Sequence, residues 1–143
     1  MGKFVADAAI KNMIAVGQAP KNSRVVILGL TFKENCPDTR NSKVEDIIKR
    51  LAEYEIKPIV VDPWASERDA MHEYGVTLTK LEDVKDADCV IVAVAHNEFK
   101  LLSLDEIKKL FKNTADAEKV LIDVKGLYNL DELKESGMKY WRL

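Results

Sequence analysis

Cys89-Val-Ile-Val-Ala-Val94 is an apolar run with no polar residue to mark a wet face. A strand of that kind has to be covered on both sides, which is the situation of a parallel sheet between helices. The run is far too short to cross a bilayer. Three more short runs have the same character: Arg24 to Leu30, Pro58 to Asp62 and Lys119 to Val124. Each is bounded by Gly, Pro, Asp or Lys, as buried strands are.

Helical patterns fill the gaps between these runs. Asn41 or Ser42 can cap a helix reaching about Tyr54, with Val44, Ile47, Ile48 and Leu51 on its inner face. Ala65 to Tyr74 reads as a second helix closed by Gly75. Val76-Thr-Leu78 reads as a short strand, and Leu81 to Ala87 as a helical turn. Ser103 to Phe111 is a helix with Glu106 at the capping-box position. Leu130 to Ser136 is a helix followed by Gly137, and Met138 to Arg142 is a last strand. The alternation predicts an α/β fold: a Rossmann-like, mostly parallel sheet of about six strands with helices on both faces.

Ahead of this pattern stands a helix over residues 3–17. Lys3, Asp7, Lys11 and Gln18 form one narrow polar strip, and apolar residues cover nearly everything else. That stripe is wider than a surface helix on a small domain needs. It either docks on its own domain or belongs to a longer helix or a dimer seam. Gly17 to Asn22 is a linker. Residues 1–20 are thus helix and linker, and residues 21–143 the α/β domain.

A chain of 143 residues and 16.2 kDa suits one domain. Lys and Arg number 22 against 24 Asp and Glu, so the net charge of −2 gives no polyanion-binding signature and argues against nucleic acid as partner. Cys36 and Cys89 are too few and too separated for a disulfide framework or a zinc site. No signal-peptide pattern and no membrane span is legible, so a reducing, cytoplasmic setting is expected.

Sheets of this class bind ligands beyond the carboxyl ends of their strands. The first such loop is long and runs from Gly29 to Ser42. It lacks the glycines of G-x-G-x-x-G, so a dinucleotide cannot approach its backbone in the usual way. Phe32 beside Lys33 suits a base and a phosphate. Arg40 stands just before a helix N-terminus, where amides already favour an anion. Lys125 follows the strand ending at Val124, with Gly126 allowing a sharp turn. Lys33, Arg40 and Lys125 are expected to converge over one crevice. Asp62 before Pro63 reads as a turn-former rather than a ribose ligand, because the glycine fingerprint is absent. His96 either meets a ligand or caps its loop. No nucleophile–base pair and no metal-ligand set is legible; Cys89 lies in a buried strand and Cys36 has no local base.

Taken together, Gly29-Leu-Thr-Phe-Lys33, Pro37-Asp-Thr-Arg-Asn-Ser42, Asp62-Pro-Trp64, Ala95-His-Asn-Glu-Phe-Lys100 and Asp123-Val-Lys-Gly-Leu-Tyr128 resemble the C-terminal, UDP-binding domain of the UDP-glucose/GDP-mannose dehydrogenase family. In detail they look like the bacterial UDP-N-acetyl-D-mannosamine/galactosamine 6-dehydrogenases of polysaccharide biosynthesis. The resemblance runs from Val25 to the end. It implies that residues 1–20 are the end of the interdomain and dimerisation helix plus its linker, and that 21–143 bind the UDP-sugar. It further implies that Phe32 and Lys33 contact the UDP-sugar and that Arg40 reaches across the cleft to NAD. Lys125 stands where glucose-type members have a substrate-contacting arginine. The glycine-rich NAD domain and the catalytic cysteine belong to the preceding part of the family's chain. This chain alone is therefore expected to be inactive, with NAD held mainly by that other domain of a homodimeric enzyme. The alternative is a free-standing nucleotide-binding or dimerisation module. A receiver-type domain is disfavoured, because no acids cluster after Leu28.

Overall fold

In the computed structural model, which describes residues 2–143, the run beginning at Cys89 is the central strand of a five-stranded, fully parallel sheet. In chain order the elements are α1 (Gly2–Ala15), β1 (Val25–Leu28), α2 (Val44–Glu53), β2 (Ile59–Val61), α3 (Glu67–Tyr74), β3 (Cys89–Val92), α4 (Asn97–Lys100), α5 (Leu104–Lys108), β4 (Val120–Asp123), α6 (Leu130–Ser136) and β5 (Lys139–Arg142). Single 3₁₀ turns lie at Leu81–Asp83 and Asp116–Glu118. The strand order is β2-β1-β3-β4-β5. Chain direction across the sheet reverses between β1 and β3, which makes their carboxyl ends the topological switch point.

The strands alternate between two cores. Val25, Ile27, Cys89, Ile91, Val120 and Ile122 point to one face, where α1 and α2 supply Val5, Ile10, Met13, Ile47 and Leu51. Val26, Leu28, Val90, Val92 and Leu121 point to the other, against Phe99, Ile107 and Leu133 of α4, α5 and α6. This two-sided burial is why the strand sequences lack alternation.

Val76–Leu78 is not a strand. It makes one bridge, Leu78 to Val60, together with a Thr79 amide bond to the Val60 carbonyl. Gly75 turns the chain in a left-handed cap immediately before it, and the first 3₁₀ turn follows at Leu81. Too few residues are left to extend a ladder, so the sheet has five strands rather than about six. The helix expected over Ser103 to Phe111 is shorter, Leu104–Lys108, but its Ser103–Glu106 capping box is complete. The α2 cap lies at Lys43, with Ser42 Oγ accepting the Val44 amide at 3.1 Å.

The first helix docks on its own domain. Val5, Ala6, Ala9, Ile10 and Met13 are buried in the same core as β3 and β4. Asp7 accepts from Arg50 Nε of α2 at 2.8 Å, and Phe4 meets Trp141 of β5 edge-on at 5.6 Å. Phe4 and Ile14 nevertheless remain more than half exposed.

Gly29 ends β1 with φ 109°, and a β-carbon there would lie 2.5 Å from Val94 Cβ and 2.8 Å from the Val94 amide nitrogen. The loops leaving β1 and β3 can approach this closely only over a glycine. Gly29→Ala is therefore expected to cost about 2–5 kcal/mol, combining backbone strain with overpacking. Urea unfolding monitored by circular dichroism measures it.

Candidate functional site

A cavity of about 350 Å³ opens at the switch point. Thr31, Phe32, Lys33 and Glu34 line it from the loop after β1, Ala93 to Ala95 from beyond β3, Lys125 from beyond β4, and Lys43 and Val44 from the start of α2. Phe32 is 53% exposed, an apolar ring held at the mouth. Among the described residues, Lys33, Lys43 and Lys125 have no carboxylate within the 4.0 Å ion-pair distance. Glu34, the acid of this lining, faces Lys100 at 3.6 Å. Three ammonium groups without a carboxylate partner thus concentrate positive charge around one cavity in a chain of net charge −2.

Arg40 is not part of that cavity. It lies 77% exposed on the far side of the loop, pinned in a two-pronged pair with Asp38 at 3.0 and 3.2 Å. Its neighbours are Asn41, Glu45, His72, Glu73 and Tyr74, around a shallow depression. The expected convergence of Lys33, Arg40 and Lys125 thus holds for two of the three. The loop from Asp38 to Ser42 is tied outward onto α3: the Tyr74 hydroxyl donates to the Thr39 carbonyl, and Thr39 Oγ1 donates to Glu73 at 2.8 Å. Lys43 takes the third place in the cavity. It was missed because a lysine opening a helix has no distinguishing pattern.

Lys125 is positioned by the chain behind it. Buried Asp123 accepts the Leu127 amide at 2.9 Å and the Tyr128 amide at 3.0 Å, closing the turn. Gly126, at φ 66°, lies under the Arg142 side chain, where a β-carbon would meet Nη2 at 2.9 Å. Tyr128 donates its hydroxyl to the Leu102 carbonyl at 2.8 Å.

Asp62 and His96 hold the loops themselves. Asp62 Oδ2 accepts the amides of Leu30 at 2.6 Å and Thr31 at 2.9 Å. Its Oδ1 accepts those of Trp64 at 2.8 Å and Ala65 at 3.2 Å. His96 Nε2 lies 3.0 Å from Oδ2, with both side chains fully buried. Burial alone would raise the Asp62 carboxyl; the bond from His96 and the amides of Leu30 and Thr31 outweigh it and hold the group below its ordinary range. The turn-former reading of Asp62 accounts for Trp64 and Ala65 but not for the other three donors. With both oxygens engaged, Asp62 has no role on a ribose. His96 caps no helix end with its ring and lines no cavity described above; it is a buried part of this knot.

The cavity can bind and orient an anion, but it holds no reacting pair. Burial pushes the Cys89 thiol well above its ordinary range, and Cys36 sits half-buried in the first loop. Among the described residues, no group of three His, Cys, Asp or Glu side chains is placed to hold a metal ion, and no helix is long and apolar enough to cross a membrane.

Residues 26–130 match the model of the UDP-glucose/GDP-mannose dehydrogenase family, UDP binding domain. The chain belongs to this family. It is 48% identical over 134 residues to the UDP-N-acetyl-D-glucosamine 6-dehydrogenase of Pseudomonas aeruginosa, covering 94% of this chain and 30% of the relative. It is 38% identical over its whole length to Protein CapL of Staphylococcus aureus, of which it covers 32%. Among solved structures, the NDP-N-acetyl-D-galactosaminuronic acid dehydrogenase of Methanosarcina mazei superposes with a TM-score of 0.84 over 99% of this chain, at 24% identity. That likeness shows the fold alone. The chain spans about 30% of the length of the curated relatives it matches.

Removing the Asp62 carboxylate strands four amides and an imidazole. Asp62→Ala is expected to cost about 3–5 kcal/mol at neutral pH. The folded-state pKa of this group lies below its ordinary 3.8, so its contribution is complete above that value and is lost as pH falls through the lowered one. The stability gap between wild type and Asp62→Ala should therefore narrow only below about pH 4. Denaturant melts across pH 2–7 would check it.

Proposed function

We propose that this chain is the UDP-sugar-holding part of an NAD-dependent UDP-N-acetylhexosamine 6-dehydrogenase. The observation that carries the reading is the switch-point cavity, where Phe32, Lys33 and Lys125 come together in a member of this family. The diphosphate sits against Lys33 and Lys125, and Phe32 packs on the flat base or sugar face. Binding energy from that remote group orients the sugar against a reacting centre supplied elsewhere. The chain by itself is inactive, because neither cysteine is paired with a base.

The residues here do not make a dinucleotide site. Gly29 stands without the other fingerprint glycines, and both Asp62 oxygens are occupied. NAD binding falls to another part of the full-length protein. Arg40, exposed and paired with Asp38 outside the cavity, is the residue that meets it. A homodimer of the full-length protein, built on the outward Phe4 and Ile14 side of α1, completes the reading. Its setting is the cytoplasm, where nucleotide sugars serve polysaccharide synthesis.

Calorimetric titration of this chain with UDP tests the proposal. Binding that weakens with added salt is expected, with Lys33→Ala weakening it about tenfold or more. Heats from UDP no larger than from buffer, or an unchanged Kd in Lys33→Ala, would sink the reading.

A further inference from the structure

We propose that His96 is a positioning residue whose Nδ1 fixes the Phe32–Lys33 segment in the form that receives a UDP diphosphate. The inference rests on the binding role proposed above. Phe32, Lys33 and Glu34 are all exposed, and a loop of that kind needs tethers to keep one shape. His96 supplies them from inside. Its Nδ1 accepts the Asn35 amide at 2.9 Å. The proton therefore sits on Nε2, which donates to Asp62 Oδ2 at 3.0 Å and lies 3.1 Å from Thr31 Oγ1. The Thr31 hydroxyl in turn donates to the Lys33 carbonyl at 3.1 Å. The segment is thus held on both sides of the Lys33 side chain.

The ring is enclosed on its faces. Trp64 stacks on it at 6.0 Å, Phe99 packs at 5.6 Å, and its side chain is fully buried. Asn35, at φ 53°, adds a reciprocal pair with Asn97: its Nδ2 donates to Asn97 Oδ1 at 3.2 Å, and its Oδ1 accepts the Asn97 amide at 2.9 Å. Asp62 already collects four amides, so the distinct contribution of the imidazole is the Nδ1 acceptor. A ring is required because one rigid group must face the Asp62 carboxylate with one nitrogen and the loop amide with the other.

Two substitutions in this chain separate the nitrogens. His96→Gln keeps a donor near the Nε2 position and leaves the Asn35 amide without an acceptor. His96→Asn places a carbonyl near the Nδ1 position and loses the donor to Asp62. Thermal melting, Asn35 amide exchange by NMR and UDP titration are read for both. In the Gln variant, Asn35 exchange is expected to rise about tenfold and the UDP Kd about fivefold. In the Asn variant the Tm is expected to fall further, with Asn35 exchange and Kd within about twofold of wild type. That crossed pattern supports positioning. Affinity and exchange that simply follow Tm across the two variants overturn it, as does an unchanged Gln variant.

The Asn35 readout needs no ligand. A wild type that binds no UDP, but shows the crossed exchange pattern, keeps the loop assignment and overturns only the binding role. Should neither variant fold, a through-bond coupling between the Asn35 amide and His96 Nδ1 in wild type decides the matter, and its absence overturns the assignment.

Discussion

One buried carboxylate organises the working edge of this sheet. Asp62 gathers the amides of Leu30, Thr31, Trp64 and Ala65 and the imidazole of His96. These donors come from the loops after three different strands. An isolated carboxylate in that position would be costly to bury. Five donors offset the cost, and in exchange the tips of β1, β2 and β3 cannot move independently. The first-loop cavity therefore has one wall set from behind, while its cations stay outside in water.

That separation of scaffold from surface accounts for the kind of site this is. The charged and aromatic groups at the cavity mouth are three exposed lysines, Glu34 and an exposed ring, over a floor of buried small and apolar residues. The groups that hold them are buried and fully bonded. Such an arrangement suits recognition of a charged, flat molecule. The chain belongs to the dehydrogenase family and spans about 30% of the relatives' length; the division of labour proposed above, grip here and chemistry elsewhere, rests on those two facts.

The sheet was legible because burial on both faces writes an unmistakable apolar run, as at Cys89 to Val92 and Val25 to Leu28. Gly75, Gly137 and the Ser103–Glu106 pair were legible because caps obey local stereochemistry. Val76 to Leu78 misled, since an apolar triplet reads the same whether one residue pairs or three do. Strand-end logic brought Lys33 and Lys125 to one crevice, as the cavity has them. That Arg40 stands apart from them was not legible, because the loop around Thr39 is tied to Tyr74 and Glu73, more than thirty residues away, and Arg40 pairs with Asp38. The Asp62–His96 bond had no signal at all: side chains separated by 34 residues meet without leaving any periodicity.

The way α1 is fastened has a mechanical meaning. Its apolar side is packed into the core of the sheet, Asp7 is bonded to Arg50, and a β-carbon at Gly2 would already strike Asp46 at 2.4 Å. A helix seated over its whole length behaves as a lever and not as a leash. Torque applied at its free face is delivered to the strands with little slack. Conversely, any rotation of the sheet swings Phe4 and Ile14 through an arc, so the angle of the switch-point cavity and the heading of that apolar edge are one mechanical variable.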